Sequence, residues 1–87
     1  MRCRLCGSEA GRIQEGEGLA FDCPRCGPHW IGFLVVREVL RQHAEPLSLA
    51  VRELNAAGRP RVEVRGEADI RRLLADAEAL ELVGSGR

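Results

Sequence analysis

Four cysteines are the residues of this chain best suited to chemistry, and they come as two copies of one pattern, Cys3-Arg4-Leu5-Cys6-Gly7 and Cys23-Pro24-Arg25-Cys26-Gly27. Two residues between cysteines let one tight turn aim both sulfurs at a common point. A glycine after the second cysteine permits the backbone conformation that brings amide groups round toward the thiolates. The copies stand sixteen residues apart, a spacing within the four-cysteine zinc pattern. Cys3, Cys6, Cys23 and Cys26 are therefore expected to hold one Zn2+ tetrahedrally, and four thiolates leave that ion no open position for water or substrate. Rubredoxin-type iron or an iron–sulfur cluster would use the same ligands. The rival uses are two disulfides or a thioredoxin-like redox pair. A redox CxxC opens a helix after a strand in a βαβ setting, and neither copy has that context.

The remaining polar residues carry weaker signals. His29 follows Cys26 by three residues and is a candidate to replace a cysteine or add a fifth ligand, whereas His43 reads as a core or boundary residue of a helix. Arg2, Arg4 and Arg25 flank the two metal turns and, with Arg12, are candidate contacts for phosphates or an acidic partner; nearby Glu9, Glu15, Glu17 and Asp22 offset them. Arg59 and Arg61, alternating with Arg65, form a second candidate patch. Trp30 is expected to pack as a lid between the cysteine-bearing half and the rest. The sequence contains no Gly-rich phosphate loop, no HExxH and no GxSxG, so no catalytic residue is assigned and no enzymatic activity is expected.

A chain of 87 residues buries a small fraction of its surface and needs a staple, which the cysteines supply. Thirteen acidic and thirteen basic residues cancel, and they also cancel locally, with four of each sign in residues 1–30 and nine of each in 31–87. A neutral chain lacks the clustered positive charge of a strong general nucleic-acid binder. All thirteen basic residues are Arg, which a GC-rich coding sequence explains simply. The amino terminus has no apolar segment of signal-peptide type, and the longest apolar run, 30–36, is too short to span a bilayer. The expected location is cytoplasmic, where paired cysteines favour metal over disulfides.

These residues must be positioned by a small α+β fold. Residues 1–31 read as a zinc ribbon, a β-hairpin carrying two metal knuckles, in which 11–14 and 19–22 flank the turn Glu15-Gly16-Glu17-Gly18 and 29–31 add a short strand. Residues 32–83 form a second half of about three helices and a short strand packed on the ribbon. Phe33, Val36, Val39 and Leu40 open the first helix, which ends before Pro46; Ser48 caps a second helix that Gly58 terminates. Val62-Glu63-Val64 alternates as a strand, and Ile70, Leu73, Leu74, Ala77 and Leu80 stripe a third helix. Residues 84–87 read as a flexible tail.

The stretch CRLCGSEAGRIQEGEGLAFDCPRCGPHWI resembles the amino-terminal zinc ribbons of uncharacterised bacterial and phage proteins, in which a CxxCG turn, a hairpin and a CPxCG turn lead into helices. The order helix, helix, short strand, helix is also compatible with a truncated winged-helix arrangement. The resemblance implies metal binding. The neutral charge, the four-cysteine staple and the lack of catalytic motifs lead to an expected role as a protein-interaction or regulatory module (adaptor, subunit or inhibitor), with a nucleic-acid-binding regulator as the alternative. The expected partner is accordingly a protein, then nucleic acid, and no membrane.

Overall fold

A computed structural model describes residues 2–38 and 40–85. Val39, counted above in an apolar stripe, and Gly86 and Arg87 of the expected tail lie outside the described residues, as does the side chain of Leu40.

The chain forms strands β1 (Gly11–Glu15), β2 (Gly18–Cys23) and β3 (Gly27–Gly32), helices α1 (Phe33–Glu38) and α2 (Leu40–Ala56), strand β4 (Val62–Val64) and helix α3 (Glu67–Ser85). A two-residue turn, Gly16-Glu17, closes the expected hairpin with Glu15 opposite Gly18. Strand β2 then pairs antiparallel with β3 from Cys23 opposite Gly27 to Gly18 opposite Gly32. The second cysteine turn is thus the β2–β3 connection itself.

Strand β4 joins the same sheet, parallel to β3, giving the order β1-β2-β3-β4. Parallel neighbours need a crossover connection, and α1 and α2 supply it. One sheet therefore takes strands from both halves of the chain. Side chains alternate across a strand, so His29 and Ile31 face the helices together with Val62 and Val64, their partners in register. All four are essentially sealed from solvent. Phe21 and Leu19 extend that face on β2, against Leu47, Val51 and Leu54 of α2 and Ile70 and Leu73 of α3. Cys3, Cys23 and Cys26 belong to the same cluster, so the cysteine site and the helical core are one hydrophobic unit.

Two expectations about the helices are corrected. Pro46 lies inside α2 and does not end a helix. Its exposed position keeps the ring out of the core, while Leu47, Ala50, Val51 and Leu54 bury one stripe of α2; burial worth about 1.5–3 kcal/mol per large side chain outweighs the interior proline's cost of about 3 kcal/mol. Ser48 is consequently no cap; it is a buried residue in mid-helix. Gly58 does terminate α2: its amide donates to Asn55 O at 3.1 Å and the Arg59 amide to Leu54 O at 3.1 Å, the paired bonds of a Schellman ending.

Trp30 is buried, but on the sheet face away from α2 and α3, because it stands between His29 and Ile31 on β3. Its Nε1–H donates to Glu15 O at 2.9 Å, and the Arg65 guanidinium lies 5.3 Å from its ring centroid. It packs over the hairpin and does not act as a lid between sheet and helices.

Candidate metal centre

Each cysteine pair sits in a hairpin-like turn. At the amino terminus, Arg2 and Glu9 form an antiparallel bridge, the Cys3 amide donates to Ser8 O at 2.8 Å and the Gly7 amide to Cys3 O at 3.0 Å, so the chain folds back over residues 4–6. Arg2 ties this turn further, its guanidinium donating to Gly7 O at 3.1 Å. In the second turn the Cys23–Gly27 register does the same. Backbone amides point at the sulfurs in both: Leu5 N–H at Cys3 Sγ (3.4 Å) and Cys26 N–H at Cys23 Sγ (3.3 Å).

The four sulfurs lie within 4.8 Å of one another and can hold a metal ion. Their spacing tests the fit. Zinc–sulfur bonds of about 2.3 Å in a tetrahedron place neighbouring sulfurs about 3.8 Å apart. Cys6 and Cys23 are separated by 3.6 Å and Cys3 and Cys26 by 4.0 Å, close to that edge length and far beyond a disulfide bond. All four cysteines are free thiols. Burial pushes the Cys3 and Cys26 thiols up, which disfavours two uncompensated thiolates there without a cation. At Cys6 burial acts in the same direction, but hydrogen bonds from the Ser8 hydroxyl and amide outweigh it and bring the thiol down to about 6.

Behind this group stands a shell that sequence reasoning missed. Ser48 Oγ lies 3.2 Å from Cys26 Sγ, so its hydroxyl can donate to a thiolate there. One helical face and two turns later, Asn55 Nδ2 donates to Cys26 O at 2.9 Å and to Pro28 O at 3.4 Å. Helix α2 thereby grips the second knuckle at its sulfur and at its backbone. The only trace of this in the sequence is the seven-residue interval from Ser48 to Asn55, which places both on one helix face. Replacing Ser48 by Ala removes the sulfur's hydroxyl donor; metal affinity is expected to fall about 10–100-fold, measured by competition with a chromophoric chelator. Unchanged affinity would mean that Ser48 only fills space.

His29 is fully buried and stacks on Phe21, ring centroids 5.1 Å apart. Burial pushes its imidazole down, against an opposing hydrogen bond to Gly27 O. A carbonyl oxygen only accepts, so Nδ1 carries the proton donated to Gly27 O at 2.8 Å. Nε2 faces Cys3 Sγ at 3.9 Å. His29 thus stands behind a cysteine, outside the four-sulfur group.

The candidate arginines are dispersed. Arg4 and Arg25 are exposed on the two knuckles and Arg12 half-buried on β1, none with an ion pair among the described residues. Arg61 bonds Glu15 at 2.7 Å and Glu63 at 2.9 Å, Arg65 bonds Glu63 at 2.6 Å, and Arg59 meets Asp76 at 3.3 Å. These carboxylates hold Arg59 and Arg61, the expected second patch, in surface pairs.

Comparison with protein-family models, with curated proteins and with solved structures finds no match for this chain. What the geometry defines is a small α+β protein with a four-stranded sheet, three helices and an amino-terminal four-cysteine cluster that can hold a metal ion. Among the described residues no helix is long and apolar enough to cross a membrane.

Proposed function

We propose that the chain is a zinc-binding interaction module: a ribbon-type knuckle pair holds one structural Zn2+, and the fold so stabilised presents a surface to a protein partner as an adaptor, subunit or inhibitor. The observation that carries this reading is the placement of the cysteine cluster within the core, with three of its four sulfurs buried and α2 braced against the second knuckle. A shell of four thiolates has no position for substrate, so the metal's task is structural. No catalytic role is proposed. Two exposed apolar residues support the choice of a protein partner: Ile13, 65% exposed on the sheet face away from α2 and α3, and Leu34 of α1, 66% exposed, which rims a cleft of about 380 Å³ with Phe33, Trp30, Glu17 and Arg65. A complex of fixed stoichiometry, seen by native mass spectrometry after purification from the native host, is expected. It should be lost in Leu34→Glu while zinc content and melting stay unchanged. A complex indifferent to Leu34→Glu, or a strictly solitary protein, would count against this assignment.

A nucleic-acid role is the second reading, favoured by Arg4 and Arg25, which lie exposed on the cysteine turns without carboxylate partners among the described residues. It requires binding that weakens steeply with salt and disappears in the double variant Arg4→Glu, Arg25→Glu. A flat low-salt titration with DNA and RNA would end it.

A further inference from the structure

The four ligands are not equally protected. Cys3, Cys23 and Cys26 are 3%, 1% and 1% exposed, whereas Cys6 is only half-buried, on a turn whose neighbours Arg4 and Gly7 face solvent. Each sulfur has a hydrogen-bond donor within reach, Cys3 the Leu5 amide, Cys6 Ser8, Cys23 the Cys26 amide and Cys26 Ser48, so exposure is what sets Cys6 apart. Cys23 faces Cys6 from the other turn, sulfur to sulfur 3.6 Å, within reach of an oxidised Cys6, and Cys3 and Cys26 stand 4.0 Å apart.

From this asymmetry we infer that Cys6 is an oxidation site through which hydroperoxides empty the metal centre, with Cys23 as the resolving cysteine. The inference rests on the zinc reading above. The Cys6 sulfur attacks one oxygen of hydrogen peroxide; a sulfur–oxygen bond forms, the oxygen–oxygen bond breaks and hydroxide leaves, giving a sulfenic acid. The Cys23 thiolate then attacks the Cys6 sulfur, forming the disulfide and expelling a second hydroxide. Two thiolates lose two electrons, peroxide is reduced, and two protons from solvent complete two molecules of water. Zinc loses half its ligands and leaves. The new bond joins one knuckle to the other, replacing part of the constraint that the metal supplied, and a thiol reductant with added zinc restores the starting state. A bond within either knuckle would let the two turns separate.

The sequence makes the test direct, because Arg4, Arg12 and Arg25 place the four cysteines on four different tryptic peptides, 3–4, 5–12, 13–25 and 26–37. Protein shown beforehand to carry one zinc per chain is treated with graded hydrogen peroxide. Zinc release is followed with a chromogenic indicator, sulfenic acid is trapped with dimedone, and disulfides are mapped by mass spectrometry. Early dimedone labelling of peptide 5–12 is expected to exceed that of each other peptide by about tenfold, following exposure. One zinc should be released for each 5–12 to 13–25 cross-link. The variant Cys6→His, which keeps a metal ligand but offers no thiol, should retain zinc at peroxide doses that strip the unaltered protein; the peptide mapping needs no variant and stands if this one fails to fold. First labelling at Cys3, Cys23 or Cys26, or a dominant disulfide between any other two peptides, overturns the inference. A protein that carries no zinc before peroxide is added overturns the metal reading itself, and does so at a separate step.

Discussion

Stripping the metal with a strong chelator should unfold the whole chain, helices included. The reason lies in the packing: among the described residues Cys3, Cys23 and Cys26 are members of the same buried cluster as Leu47, Val51, Ile70 and Leu73, so the cysteine site and the helices share one core. Binding of a structural zinc contributes on the order of 10 kcal/mol at neutral pH, comparable to the whole stability of a small domain. Chelation should therefore abolish the helical far-ultraviolet signal and the cooperative melt together, and added zinc should restore both. A chelated protein that keeps its helices and melts cooperatively would show that α2 and α3 need no metal. Elemental analysis of the same preparation identifies the ion, one zinc per chain being the expected value.

The second large effect distinguishes two glycines that the motif makes equivalent. Gly7 and Gly27 each follow a second cysteine and each has a positive φ, 76° and 92°. An added Cβ at Gly7 meets nothing within 4 Å, whereas at Gly27 it would stand 2.8 Å from Asn55 Cγ and closer still to Asn55 Nδ2. Gly7→Ala should cost only the backbone strain, about 1–2 kcal/mol. Gly27→Ala adds about 1–3 kcal/mol of overpacking and loss of the Asn55 bond to Cys26 O, about 1 kcal/mol more, for a total of about 4 kcal/mol. Denaturant midpoints of the two zinc-loaded variants provide the comparison. Equal losses would mean that Asn55 moves aside freely and that α2 does not hold the second knuckle.

Much of the local structure was legible because it is set by near neighbours. Glycines at 16 and 18 announced the hairpin turn, the alternation at 62–64 announced β4, and Gly58 announced the end of α2. The reading failed where a distant contact outweighed a local preference. Pro46 is a helix breaker by its ring and missing amide, yet the buried stripe on either side carries the helix through it. Ser48 has the side chain of a cap, but with the helix already begun its hydroxyl turns to a cysteine twenty-two residues earlier. Trp30 packs as its size implies, but its side of the sheet is not legible in the sequence, because alternation only becomes informative once His29 and Ile31 are known to face the helices.

By itself, then, the sequence determined the identity of the candidate ligands, since two CxxCG turns are short-range objects whose spacing aims their own sulfurs. It also determined the hairpin between them and the approximate number of helices, each governed by periodicity and turn chemistry over a few residues. Only the tertiary structure decided that β4 joins the sheet of the amino-terminal hairpin, that α2 braces Cys26, that His29 stands behind Cys3, and that Cys6 alone of the four meets solvent. Those outcomes depend on which apolar faces meet across long chain separations, and equal local motifs acquire unequal surroundings only after that packing is complete.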